Sequence, residues 1–203
     1  TLLRPCPEPH LHKPLEIEKG GLGYYDLIDL DVRRRQGELA KQAGVYGFMY
    51  YHYWFNGEPS LPEHKVLFGM TEAMLEDDQP DLPFMLSWAN EPWTKTWTGM
   101  EDHVLLHQNY GDLKDWEEHF RYLLKFFKHK NYITIEGQPV FILYKTFHFG
   151  QVLPVMLRYW QRLAKKEGLK GIKFVSTIGA FPYQLPLPPA VEEGFMHGSF
   201  HFW

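Results

Sequence analysis

Two short stretches of the chain concentrate side chains able to do chemistry. The first is Tyr50-Tyr51-His52-Tyr53-Trp54-Phe55-Asn56-Gly57. The second is Ser87-Trp88-Ala89-Asn90-Glu91-Pro92-Trp93-Thr94, with Trp97 close behind. Sugars present flat apolar faces rimmed by hydroxyls, so aromatic rings suit the faces and Asn, Glu and His suit the rims. A carboxyl group set among indoles loses solvation, which raises its pKa toward the range a general acid needs. Glu91 is therefore the candidate catalytic carboxyl. His52, Tyr53, Trp54, Trp88, Asn90, Trp93 and Trp97 are the candidate substrate-binding residues.

Each has a plainer structural reading. Successive strand residues face opposite ways, so one of Tyr50 and Tyr51 must point away from any site. His52 serves equally well as a buried, hydrogen-bonded histidine. Trp88 and Trp93 can act as packing anchors, and Glu91 can pair with Lys95 or Arg121. Trp116 and Trp160 fall on amphipathic stripes and read as core, whereas His107, His119 and His129 read as surface. Tyr144 and Lys145, at the end of another strand, are weaker candidates, as are His197, His201 and Trp203.

Both stretches sit where strands end. Asp29 to Ala43 has a capping Asp, a stripe of Val32, Leu39, Ala40 and Ala43, and Gly44 as a stop, which predicts a helix. Val45 to Trp54 then reads as a buried strand. Ser60-Leu61-Pro62-Glu63 resembles a capping box and predicts a helix carrying Leu67, Met70 and Met74. Phe84 to Trp88 is the next strand. Asp115 to Lys128 and Val152 to Glu167 are helices, with Val140 to Tyr144 and Ile172 to Ile178 as strands after them. The proline-rich loop Phe181 to Pro189 leads to a last apolar run, Gly194 to Phe200. Helix and strand alternate throughout, which predicts a parallel sheet of about five strands. Thr1 to Gly23 reads as an irregular N-terminal segment and residues 24–203 as one α/β domain.

Composition narrows the function classes. The 203 residues carry a formal net charge of -4, which offers no basic footprint for nucleic acid. Seven Trp, twelve Tyr and fifteen Phe exceed what such a core needs, so the surplus lines a site or faces another chain. Cys6, the single cysteine, excludes an internal disulfide. No apolar run approaches the roughly 20 residues of a membrane span. No cluster has the spacing of metal ligands, and no cofactor motif appears; Gly20-Gly21-Leu22-Gly23 lacks the preceding strand a phosphate loop needs.

Several segments together resemble a known family. They are Leu22-Gly23-Tyr24-Tyr25-Asp26, Arg33-Arg34-Arg35-Gln36, the run Ala40 to Phe48, Tyr50 to Gly57, and Trp88-Ala89-Asn90-Glu91-Pro92-Trp93-Thr94. All look like the WbsX-type glycosyltransferase domain, itself similar to glycoside hydrolase family 99, the endo-α-mannosidase family. The match runs from about Gly21 to Tyr144, with a looser continuation to Trp203. The resemblance implies a (β/α)₈ TIM-barrel type fold, here incomplete, with the first and last strands missing. It implies work on oligosaccharide or polysaccharide. The family's Pro-, His- and Trp-rich opening strand and its C-terminal Asn-Glu-Trp-x-Glu-Gly segment, which supplies the family 99 catalytic carboxylates, do not appear in this chain. Two expectations follow. In one, the chain is part of a glycosyltransferase or endo-glycosidase. In the other, it is an inactive relative that binds carbohydrate or serves as a structural subunit, with other protein chains covering the open barrel edges.

Overall fold

The computed structural model describes residues 14–61, 63–95, 100–179 and 197–202. In chain order its elements are α1 (Leu30–Gln42), β1 (Phe48–Trp54), β2 (Lys65–Val66), α2 (Gly69–Asp77), β3 (Phe84–Trp88), β4 (Trp93–Lys95), β5 (Met100–Leu106), α3 (Leu113–Phe127), β6 (Thr134–Ile135), β7 (Gln138–Leu143), α4 (Val152–Lys166), β8 (Lys173–Gly179) and β9 (Gly198–Phe202). The strands β1, β3, β7, β8 and β9 lie side by side, and each pair is parallel. Neighbours in the sheet are also successive parallel strands in the chain. The strand order therefore never reverses, as it would in a doubly wound sheet. This is the pattern of part of a (β/α) barrel, with the five parallel strands expected.

Local sequence explains the helices. Asp29 caps α1 by accepting from the backbone N–H of Asp31 at 2.8 Å. Asp112 and Asp115 form a reciprocal capping box at the start of α3. Trp116, Phe120, Leu123 and Phe127 on α3, with Met156, Leu157 and Trp160 on α4, present one apolar face to the sheet. Phe84, Leu86, Trp88, Phe141, Leu143 and Phe174 meet them from alternate strand positions. The Trp160 indole also donates to the Trp116 carbonyl at 2.9 Å, which locks α4 to α3.

Four expectations are corrected. No helix begins at Ser60. His64 and Leu67 have φ of 58° and 54°, which no α-helix tolerates, and between them Lys65–Val66 pairs antiparallel with Tyr53–Trp54. The helix starts only at Gly69, and Pro62 itself lies outside the described residues. After Glu91 the chain forms a hairpin of β4 and β5. His119 is buried, at 1% exposure, because it sits one turn from Trp116 on the same face of α3. His129 is not a free surface residue either: its ring stands 2.9 Å from the Asp78 carboxylate. β1 begins at Phe48, not Val45, and Val45 and Tyr46 are exposed. The loop Phe181 to Pro189 lies outside the described residues.

Candidate functional site

Strand alternation divides the first aromatic stretch between two environments. Tyr51 and Tyr53 face a cleft beyond the carboxyl ends of β1, β3 and β7, while His52 and Trp54 face α3. The cleft has a volume of about 690 Å³. Tyr51, Tyr53, Trp93 and Tyr144 supply its aromatic surface, and Glu91 and Lys145 supply its charges. Trp93, the first residue of β4, meets Tyr53 edge-on at 5.3 Å and Phe55 edge-on at 5.9 Å. Tyr144 meets Tyr51 edge-on at 6.1 Å. These T-shaped contacts hold the rings as rigid walls.

The Glu91 carboxylate is ion-paired with the Lys145 ammonium rather than with Lys95 or Arg121. A counter-charge, and not only aromatic rings, therefore stands beside this carboxylate. Arg121 is taken up by Glu117, one turn back on α3. The Tyr51 and Tyr53 phenols are shifted upward, first by burial; the Glu91 charge adds to the shift of both. Both therefore stay protonated and able to donate at neutral pH.

Asn90 lies beneath this surface, fully buried. Its side chain grips the Lys145 backbone from both sides. The amide nitrogen donates to the Lys145 carbonyl at 2.8 Å, and the amide oxygen accepts from the Lys145 N–H at 2.8 Å. The Tyr110 hydroxyl adds a bond to the Asn90 carbonyl at 2.8 Å. Asn90 thereby ties the end of β3 to the end of β7 and sets Glu91 opposite Lys145.

Of the residues singled out in the sequence, Tyr53, Glu91 and Trp93 line the cleft, and Asn90 supports it. His52, Trp54 and Trp88 do not reach it. Trp88 is fully buried between β3 and the helices, so truncating it would dismantle the core rather than probe a ligand. Trp54 stacks on His119 at 4.5 Å. Trp97 and Trp203 lie outside the described residues. Sequence reasoning left Tyr51 undecided and gave Tyr144 and Lys145 only as strand-end candidates; Leu105, carried in by the unforeseen hairpin, had no signal. Counting alternation backwards from Trp54 would have placed Tyr51 and Tyr53 together.

Among the described residues no group of three His, Cys, Asp or Glu side chains gathers as a metal site. No helix among them is long and apolar enough to cross a membrane.

Comparison with known proteins places this geometry in a family. The protein WxcX of Xanthomonas campestris pv. campestris, in strains B100 and ATCC 33913, is 27% identical over 186 residues, covering 84% of this chain and 26% of WxcX. A glycoside hydrolase-like protein superposes with a TM-score of 0.56 at 13% identity, covering 94% of this chain and 54% of its own. The family 99 endo-α-mannosidase of Bacteroides thetaiotaomicron also superposes with a TM-score of 0.56, at 14% identity, covering 90% of this chain and 46% of its own. The chain thus spans about a quarter of the curated relatives and about half of these structures. The structural likeness establishes the fold as an incomplete (β/α)₈-barrel type. A family model described as glycosyltransferase WbsX matches residues 10–191, nearly the whole chain, and the chain belongs to that family.

Proposed function

We propose that the cleft binds carbohydrate, and that this chain forms the saccharide-holding face of a glycan-active barrel domain, a glycosyltransferase or an endo-α-mannosidase-like glycosidase. One observation carries the reading. Four aromatic rings and an ion-paired carboxylate share one open cleft at the carboxyl ends of parallel strands, where barrels of this type place their ligands. Trp93 and Tyr53 offer rigid faces for a pyranose ring. Tyr51 and Tyr53 offer hydroxyl donors. Glu91 accepts from sugar hydroxyls, and its ion pair with Lys145 holds it in place.

Glu91 is the one carboxylate among the described residues lining the cleft. Most glycosidases need two, about 5–10 Å apart. On this reading Glu91 orients a sugar or works with a carboxylate from another segment. Its ion pair with Lys145 also favours a second reading, in which the cleft binds glycan without cutting it. Affinity electrophoresis through gels containing neutral polysaccharides tests binding. Retardation of the wild type, weakened in Glu91→Gln and lost in Trp93→Ala, supports the proposal. Equal mobility in every gel contradicts it. Mass spectrometry of the glycan after incubation then separates catalysis from binding alone.

A further inference from the structure

Behind the cleft wall lies a pair of titratable groups that do not line the cleft. His52 on β1 and His119 on α3 face each other, Nε2 to Nε2, at 2.7 Å. At this separation one nitrogen must donate a proton and the other must accept it. The two rings therefore hold opposite roles at Nε2. A proton on both facing nitrogens would set two N–H groups against each other and break the bond.

The pair is sealed in rings. Trp54 stacks on His119 at 4.5 Å, with the planes within 1° of parallel. Trp88 and Trp160 meet His119 edge-on at 4.5 and 5.2 Å. Tyr122 stacks on His52 at 5.5 Å. The two histidines keep only 6% and 1% of their surface. From β2 comes the Lys65 ammonium, ion-paired with Glu63 and with Glu72 of α2. Before β2 stands His64, 3.8 Å from Glu118 of α3. The β3 and α4 residues in contact, Trp88 and Trp160, carry no charge, and Tyr110 meets Trp88 edge-on at 6.0 Å.

His52 is the residue between Tyr51 and Tyr53. Its backbone carbonyl also accepts from the Ala89 N–H at 2.9 Å, one residue before Asn90. We propose that the His52–His119 hydrogen bond is a positioning device for the cleft: it fixes the carboxyl end of β1 against α3, holds the Tyr51 and Tyr53 wall in register with Trp93, and lets go in acid. This rests on the cleft being the ligand site proposed above. The environment fits the role. Burial, followed by Lys65, holds His52 down at about 3. Burial, followed by His52, holds His119 well below the ordinary histidine value. The neutral, bonded pair is thus the state at physiological pH.

Nitrogen-15 NMR of the imidazoles tests this on the intact chain. The expected spectrum has one protonated Nε2 shared between His52 and His119, a scalar coupling across the N–H···N bond, and no titration of either ring between about pH 5 and 8. His119→Phe keeps a ring but removes the bond, and His119→Gln restores a donor. The Phe variant should shift the Tyr51, Tyr53 and Trp93 ring resonances and weaken oligosaccharide binding about tenfold, and the Gln variant should return both most of the way. Either ring titrating near the ordinary histidine value overturns the proposal. So does a folded His119→Phe variant whose Tyr51, Tyr53 and Trp93 resonances match the wild type. If the wild type binds no oligosaccharide, the functional reading fails, and the ring resonances still decide this one.

Discussion

Removing the Asn90 side chain should be costly far beyond its size. The residue is fully buried and makes three side-chain hydrogen bonds, to the Lys145 carbonyl and N–H at 2.8 Å each and to the Tyr110 hydroxyl at 3.3 Å. Asn90→Ala removes the Asn90 partner of the Lys145 N–H in a closed site and leaves the Lys145 carbonyl with the weaker bond from the His148 N–H at 3.2 Å. An orphaned buried group costs about 1–3 kcal/mol, and each of the two further lost bonds about 1 kcal/mol, so the total comes to about 3–5 kcal/mol. Asn90→Asp keeps the shape and is no milder at neutral pH. One carboxylate oxygen still accepts from the Lys145 N–H, but the other faces the Lys145 carbonyl, acceptor against acceptor, and the charge is buried. Burial raises such a carboxyl in the folded state, so the folded protein takes up a proton before the unfolded chain does. The stability gap between Asn90→Asp and wild type should therefore narrow as the pH falls toward about 5. Urea unfolding at pH 7 and pH 5 measures all three proteins. An Asn90→Ala variant within about 0.5 kcal/mol of wild type, or an Asn90→Asp gap indifferent to pH, would refute the clamp.

Other outcomes follow from the same structure. Trp93→Ala should lower saccharide affinity about tenfold or more while changing stability by less than about 1 kcal/mol, since the ring is only half-buried; calorimetric titration and thermal melts check both. The wild type should lose stability as the pH falls below about 6.5. His52 is held at about 3, so between these values the unfolded chain binds a proton that the folded one does not. The loss attributable to His52 is on the order of 3 kcal/mol by pH 4.5, and His119 acts in the same direction. A flat urea midpoint from pH 7 to about 5 would contradict this. Arg33→Ala should cost about 3–5 kcal/mol, because the guanidinium is 2% exposed and grips Asp77 through two bonds of 2.7 and 2.6 Å. Chemical denaturation reads that directly, and a loss below about 1 kcal/mol would show the pair to be dispensable.

The fold was legible wherever local chemistry and hydrophobic period agreed. The α3 stripe from Trp116 to Phe127, the Asp29 cap and the apolar strand at Phe84 to Trp88 all point to the elements that form. Ser60 to Glu63 misleads because tertiary pairing prevails: the free edge of β1 recruits Lys65–Val66, and two left-handed residues flank the pair. The site was half legible. Tyr53, Glu91 and Trp93 stand at strand ends, which the sequence shows. The role of Lys145 depends on a β7 end brought beside β3 by a clamp through Asn90, a contact 55 residues apart in the chain. His119 hid because its partner, His52, lies on a distant strand and only the folded sheet joins them.

The central claim is that the cleft, rather than the aromatic core behind it, receives the sugar. Indole nitrogen-15 spectra recorded during titration with neutral oligosaccharides test it at single-residue resolution. The Trp93 resonance should move in proportion to occupancy while those of Trp54, Trp88, Trp116 and Trp160 stay in place, because those four are buried in the core. A stationary Trp93 signal at saturating sugar, or a shift confined to the core tryptophans, would contradict the account.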